Sequence, residues 1–128
     1  MERPKKILIA DDDENIRITM GSLLSLEGYE VITAENGEET LEMIRTGDPD
    51  LLILDLMMPE MDGASVAHDL SSRVSGKRIP IIIVSGLVLE DTGKQFDTAS
   101  GNVKFLKKPF EITELLALVN ESLKGLNP

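Results

Sequence analysis

Residues 51–55, Leu51-Leu52-Ile53-Leu54-Asp55, are four large apolar residues followed at once by a carboxylate. No polar residue interrupts the run, whereas a strand with one solvated face alternates apolar and polar side chains. The run therefore predicts a strand covered on both faces, in the middle of a parallel sheet. Because an unpaired carboxylate in apolar surroundings costs several kcal/mol, Asp55 needs a chemical reason to end such a strand.

Two more stretches, Ile7-Leu8-Ile9-Ala10 and Ile81-Ile82-Ile83-Val84, have the same unbroken apolar character and predict two further central strands. Two weaker candidates differ from them. Residues 30–34 are half polar and residues 103–107 are interrupted by lysines, as is typical of edge strands. The sequence thus predicts three central and two marginal strands.

Apolar residues at helical spacing fill the gaps between these strands. The first predicted helix stops at Gly28, a common helix-ending residue. Its apolar face consists of Ile16, Met20, Leu23 and Leu24. Three further helices are predicted, over residues 40–45, 63–73 and 111–123. Glu111 and Glu114 form a candidate capping box for the last of them, and the polar segment 87–101 predicts at most a short helix.

Strands that alternate with helices along the whole chain predict a (βα)5 domain with right-handed crossovers. With three central and two marginal strands, the order 2-1-3-4-5 fits best, which is the order of a flavodoxin-like three-layer sandwich. We expect residues 1–128 to form this single domain. Its ligand site should lie at the carboxyl ends of the first and third strands, where the strand order switches direction.

The composition excludes several classes of function. Among 128 residues, 23 are acidic and 13 basic, so the net charge is −10, which disfavours direct binding to nucleic acid. The absence of cysteine excludes disulfides, thiolate nucleophiles and zinc–thiolate sites. No apolar run approaches the roughly 20 residues of a membrane span, and the first residues do not resemble a signal peptide. We therefore expect a cytoplasmic domain without membrane contact.

Polar residues follow four strands that are neighbours in the predicted order. They are Asp11-Asp12-Asp13-Glu14, Asp55, Ser85 and Lys108. Taken singly, the acidic run fits a helix cap equally well, Ser85 fits a turn, and Lys108 fits a solvated charge at a sheet edge. Taken together, they bring carboxylates, a hydroxyl and an ammonium into one cleft.

Carboxylates crowded into one cleft repel each other, and Mg²⁺, which prefers oxygen ligands and often binds a phosphate oxygen as well, relieves that repulsion. The lysine would then balance the charge of a phosphoryl group, and the serine hydroxyl would donate to it. The cluster therefore predicts a phosphoryl-transfer site in which a carboxylate oxygen of Asp55 is the nucleophile.

At these positions the sequence resembles the receiver domain of two-component response regulators. The matching stretches are Ile7-Leu8-Ile9-Ala10-Asp11-Asp12-Asp13, Leu54-Asp55-Leu56-Met57-Met58-Pro59-Glu60-Met61-Asp62-Gly63, Ile83-Val84-Ser85-Gly86 and Phe105-Leu106-Lys107-Lys108-Pro109-Phe110. The resemblance covers nearly the whole chain, in order, and the stretch around Asp55 is the most specific.

The resemblance implies that Asp55 accepts a phosphoryl group from a phosphohistidine of a sensor histidine kinase or of a histidine phosphotransfer protein. It also implies bound Mg²⁺, with Mn²⁺ as a substitute. Asp12, Asp55 and the main-chain carbonyl of Met57 would be direct ligands, and Asp11 would act largely through water. Such a domain is a signalling phosphoacceptor that catalyses only its own phosphorylation and dephosphorylation.

The resemblance further implies that Ser85 and Lys108 contact the phosphoryl oxygens and that the Lys108–Pro109 bond is cis. Ser85, drawn towards the phosphoryl group, would vacate space that Phe105 fills, and this switch would alter the partner-binding surface. The output would be a downstream protein or a fused output domain, and phosphorylation-dependent homodimerisation stays open.

Other functions share some of these features. An FMN-binding flavodoxin needs a phosphate loop where this chain has Asp11 to Glu14, and a dehalogenase-type phosphatase would leave Asp55 unexplained. A receiver-like interaction module that works without phosphorylation remains the alternative. Ile18 falls outside the apolar stripe of the first helix, where receiver domains dock their kinases, so we expect it to be exposed and treat it as a candidate partner contact.

Overall fold

The computed structural model describes residues 3–55, 79–86 and 103–124. The predicted helix over 63–73 and the segment 87–101 lie outside these residues, as do Met57, Leu87 and the only histidine, His68. No helix of the described ranges combines the length and the apolar character needed to cross a membrane.

Within these described ranges, five strands form one parallel sheet. They are β1 (Lys6–Ala10), β2 (Glu30–Ala34), β3 (Leu51–Asp55), β4 (Ile81–Ser85) and β5 (Val103–Lys107). Their order is β2-β1-β3-β4-β5, which confirms the predicted topology. The register places Ala10 beside Leu54 and Asp55 beside Val84, so the carboxyl ends of the three central strands meet at one edge.

The described ranges contain three helices: α1 (Glu14–Leu26), α2 (Gly37–Gly47) and α3 (Ile112–Lys124). Helix α2 begins three residues before the predicted start at residue 40. Asn36 caps it by accepting a hydrogen bond from the Glu39 main-chain N–H at 2.8 Å, and the Glu39 carboxylate accepts one from the Glu35 N–H at 3.2 Å. These two hydrogen bonds stabilise a first turn that has no apolar stripe of its own.

Two hydrophobic clusters cover the two faces of the sheet. The face that packs against α1 and α3 is built from Ile7, Ile9, Met20, Leu24, Leu51, Ile53, Ile82, Val84, Leu106, Leu115, Val119 and Leu123. The face that packs against α2 is built from Leu8, Ala10, Ala34, Ile44, Leu52, Leu54, Ile79, Ile81 and Ile83. Successive residues of each central strand alternate between the clusters, which explains why their sequences are apolar without alternation.

Helix α3 is fixed at its start and along its length by side-chain hydrogen bonds. At its start, the Glu114 carboxylate accepts a hydrogen bond from the Glu111 N–H at 3.0 Å, which confirms that half of the predicted capping box. Further along, Asn120 accepts a 2.6 Å hydrogen bond from the Tyr29 hydroxyl, which joins α3 to the turn after α1.

Candidate functional site

Three carboxylates meet at the carboxyl edge of the sheet. Asp11 follows β1, Asp12 comes next in the same loop, and Asp55 ends β3; one oxygen from each lies within 4.8 Å of the others. Asp11 and Asp55 are only 1% and 3% exposed, whereas Asp12 is exposed. The register of β1 against β3 therefore produces the cluster that the sequence predicted.

Lys108 supplies the positive charge of this cluster. Its Nζ lies 3.3 Å from Oδ2 of Asp11 and 3.3 Å from Oδ2 of Asp55, so one ammonium joins two buried carboxylates. The Lys108–Pro109 peptide bond is cis, as expected.

The electrostatics of the cluster show an excess of negative charge. Burial raises the pKa of Asp11 above its ordinary value and the Asp55 charge raises it further; the Asp13 N–H and Lys108 only partly oppose this. Partial burial lowers the pKa of Lys108, but Asp11 and Asp55 outweigh that effect and raise it overall. One cation thus does not satisfy the cluster.

The acidic run after β1 divides into two roles. Asp13 caps α1, because its carboxylate accepts hydrogen bonds from the main-chain N–H groups of Asn15 and Ile16 at 2.8 and 3.2 Å. The cap interpretation is therefore confirmed for Asp13, whereas Asp11 and Asp12 lie in the carboxylate cluster, where a cation site stays a prediction.

The cluster fits a magnesium ion. Ligand oxygens about 2.1 Å from Mg²⁺ in octahedral geometry lie roughly 3–4 Å apart, and these carboxylate oxygens lie within 4.8 Å of one another. Three carboxylates with one shared ammonium also have the charge that such an ion would offset. Asp11, Asp12 and Asp55 would hold it.

Two other predicted residues can be placed only in part. Ser85 ends β4 with its main chain beside Lys107, so the predicted contact of its hydroxyl with a phosphoryl group stays a prediction. Phe105 is half-buried in the middle of β5 and packs against the α2 face, and its switch role also stays a prediction. The Met57 carbonyl lies outside the described residues.

Arg17 and Glu35 adjoin the site and were not among the predicted residues. Arg17 donates from Nη1 to the main-chain oxygen of Asp11 at 2.7 Å, and its Nη2 lies 3.7 Å from Oε2 of Glu35. Glu35 stands just after β2, which ends away from the predicted cleft. The available signal was a side chain at Arg17 that, on a helix, leans towards the loop before that helix.

An apolar hollow of about 580 Å³ opens beside Lys108, between α1 and the segment that leads into α3. It is lined by Asn15, Ile16, Thr19, Met20, Leu23, Lys108, Pro109, Phe110 and Ile112. Ile18 is 57% exposed, as predicted, but it lines a different hollow on the flank of α1 towards β2.

Comparison with known families agrees with this geometry. The profile of the family described as "Response regulator receiver domain" matches residues 7–120. The chain belongs to this family. It is 35% identical to response regulator MprA of Mycolicibacterium vanbaalenii over 98% of its length, and 37% identical to that of Mycobacterium avium over 96%. The receiver spans about half of these relatives, since it covers 53% of each.

Solved structures with the same fold include other receivers. The receiver domain of Francisella response regulator 1452 is 33% identical, with a TM-score of 0.82 over 96% of this chain and 99% of that one. Thermotoga maritima response regulator TrrA, solved in complex with Mg²⁺-BeF, is 35% identical, with a TM-score of 0.77 over 92% of this chain and 98% of that one.

Proposed function

We propose that this receiver accepts a phosphoryl group on Asp55 from a phosphohistidine of a sensor histidine kinase or a histidine phosphotransfer protein, in a reaction that depends on Mg²⁺. One observation carries the proposal. The Asp55 carboxylate, buried at the end of β3, lies 3.3 Å from the Lys108 ammonium and within 4.8 Å of two further carboxylates.

In the transfer, a carboxylate oxygen of Asp55 forms a bond to phosphorus. The bond from phosphorus to the histidine nitrogen breaks, and that nitrogen keeps the electron pair. Lys108 places its positive charge beside the transferred group, where positioning and electrostatics supply most of the catalysis. Mg²⁺, when bound by the three aspartates, would offset the charge that the carboxylates and the phosphoryl group bring together. TrrA, solved with Mg²⁺-BeF, supports this use of the ion.

The phosphodonor protein would dock at the hollow beside Lys108. The hollow begins at a residue of the site, and most of its lining is apolar, with Ile16, Leu23 and Phe110 among the side chains. An apolar surface next to a reacting group can align a partner without adding charge to an already crowded cluster. Ile18, on the other flank of α1, stays a predicted contact.

We expect residues 1–128 to act as one receiver domain that catalyses only its own phosphorylation and dephosphorylation. Ser85 and Phe105 would transmit the change to the partner-binding surface. Because the relatives are about twice as long, the output is either an attached domain or a separate protein. The cytoplasmic location and phosphorylation-dependent homodimerisation stay predictions.

Incubation with acetyl phosphate and Mg²⁺, followed by intact-mass measurement, tests the proposal. The wild type should gain one phosphoryl group, and Asp55→Asn or added chelator should abolish the gain. Asp13→Asn is the matched control, because asparagine also caps helices well and the same charge is lost nearby. Wild type without an adduct would favour the alternative, an interaction module that works without phosphorylation, against which the joint presence of Asp11, Asp12, Asp55 and Lys108 argues.

A further inference from the structure

Arg17 reaches from α1 back to the loop that carries two of the carboxylates. Its Nη1 donates to the Asp11 main-chain oxygen at 2.7 Å, and its Nη2 lies 3.7 Å from Oε2 of Glu35, just after β2. The Arg17 side chain is only 15% exposed. A guanidinium is seldom buried to this extent unless its donors are used, so both contacts bear on what this residue does.

We propose that Arg17 is a positioning residue for the cation site. Its guanidinium fixes the peptide unit between Asp11 and Asp12 and thereby sets where both carboxylates stand. This inference rests on the proposed function, because it assumes that the carboxylate cluster binds Mg²⁺.

The covalent geometry of the loop explains how one hydrogen bond orients two side chains. The oxygen that Arg17 holds belongs to the planar peptide unit that ends at the Asp12 nitrogen, so fixing the oxygen also fixes that nitrogen. Asp11 is also anchored by other contacts: its N–H donates to the Ala34 oxygen at 3.1 Å, its Oδ1 accepts from the Asp13 N–H at 3.0 Å, and its Oδ2 lies 3.3 Å from Nζ of Lys108.

Asp12 depends most on this arrangement. Its side chain is exposed, and within the ranges 3–55, 79–86 and 103–124 no hydrogen bond or ion pair holds its carboxylate. The direction in which Asp12 points is therefore set by the main chain that Arg17 clamps. Without the Arg17 hydrogen bond, the Asp12 carboxylate would lose its conformational freedom only when the cation binds. That entropic cost would weaken cation binding.

Arginine suits this role better than lysine. Its two terminal nitrogens lie in one rigid plane and can serve the Asp11 carbonyl and Glu35 together, whereas an ammonium is a single point of attachment. Charge alone predicts the opposite outcome on cation binding, because a positive side chain near the cluster repels Mg²⁺. Removal of Arg17 would then tighten Mg²⁺ binding, while loss of positioning would weaken it.

The test is the Mg²⁺ dissociation constant of the purified receiver, measured by calorimetric titration with magnesium chloride. We expect Arg17→Met to weaken binding about tenfold, as for other residues that orient metal ligands, with Arg17→Lys between it and wild type. Arg45→Met removes the same charge from an exposed site on α2. Its Mg²⁺ dissociation constant should stay within about twofold of the wild-type value, because exposed charges are screened.

Urea unfolding of each variant separates positioning from fold stability, since a purely structural arginine would change the unfolding midpoint and leave the dissociation constant alone. Unchanged or tighter Mg²⁺ binding in Arg17→Met would overturn the proposal. If that variant does not fold, wild-type affinity in Arg17→Lys would overturn it instead. A wild type that does not bind Mg²⁺ would refute the proposed function itself. Mg²⁺ binding that is insensitive to substitution of Arg17 would refute only the positioning role of Arg17.

Discussion

The amino edge of the sheet, where the strands begin, and the carboxyl edge, where they end, each hold a deeply buried aspartate. The groups that surround the aspartate differ between the two. At the amino edge, Asp50 is 5% exposed, and its Oδ2 accepts a hydrogen bond from the Lys6 main-chain N–H at 2.8 Å. The Arg3 guanidinium lies 3.9 Å from the same oxygen. This single carboxylate faces donors, so its charge helps to join the start of β1 to the start of β3.

At the carboxyl edge, carboxylates instead lie close to one another. Asp11 and Asp55 share the ammonium of Lys108, and Asp12 adds a third carboxylate within 4.8 Å. Like charges in such a cluster destabilise the fold until a cation arrives. Burial alone therefore does not distinguish a carboxylate that can bind a cation. A shortage of positive charge does, because such a site gains free energy by binding a cation.

Asp50→Ala gives the largest expected effect and tests the amino edge. The substitution leaves the partly buried N–H of Lys6 without its charged acceptor, so the free energy of unfolding should fall by about 3 kcal/mol. Asp50→Asn keeps an acceptor oxygen, so its free energy of unfolding should fall clearly less than that of Asp50→Ala. Urea unfolding measures both variants, and equal losses would show that the charge of Asp50, and not the hydrogen bond, stabilises this edge.

Magnesium should stabilise the carboxyl edge and leave the amino edge unaffected. At a Mg²⁺ concentration of 100 times the dissociation constant, ligand binding adds about 2.7 kcal/mol to the free energy of unfolding. Asp12→Asn should lose most of this gain, and Asp50→Asn should keep it. Urea unfolding with and without Mg²⁺ measures this stabilisation in each variant. If Mg²⁺ stabilises Asp12→Asn as much as the wild type, Asp12 is excluded as a ligand.

Much of this contrast could be predicted from the sequence. Unbroken apolar runs arise only where both faces of a strand are covered, so β1, β3 and β4 were correctly predicted as central. Their order in turn places the residues after them, Asp11 and Asp55, at one edge. Lys108 was predicted by the same reasoning, because it follows the edge strand β5.

The contacts that orient these residues could not be predicted in the same way. The Arg17 guanidinium reaches an oxygen six residues back and a carboxylate 18 residues on, and no periodic pattern in the sequence encodes either distance. The early start of α2 is different, because Asn36 and Glu39 stand three apart and are a recognisable capping pair. Apolar spacing alone does not mark this start, because residues 37–40 include no large apolar side chain.

The pH dependence of stability should separate the two edges further. The pKa of Asp11 is raised in the folded state, so in chelator this residue makes stability fall as the pH rises from its unfolded value of 3.8 through the folded one. Asp11→Asn removes that fall. It should be more stable than the wild type near neutral pH by about 1 kcal/mol, the size of one partly screened like-charge contact.

Urea unfolding at pH 4 and pH 7, with chelator present, measures this difference. The advantage of Asp11→Asn should be larger at pH 7 than at pH 4, because the raised pKa of Asp11 makes the wild type lose stability as the pH rises. A variant that is less stable than the wild type at both pH values would show that the bonds of Asp11 to Lys108 and to the Asp13 N–H outweigh its repulsion from Asp55.

Arg3→Gln gives the smallest expected effect and tests whether the amino edge depends on an ion pair at all. The Arg3 side chain is 59% exposed and 3.9 Å from Asp50, and such pairs typically contribute about 0.5 kcal/mol. The variant should therefore unfold within about 0.5 kcal/mol of the wild type in urea. A loss above about 1 kcal/mol, well beyond an exposed pair, would mean that Asp50 also depends on a cation, as Asp55 does on Lys108. The difference between the edges would then lie in how many carboxylates share each cation, and not in whether main-chain donors satisfy them.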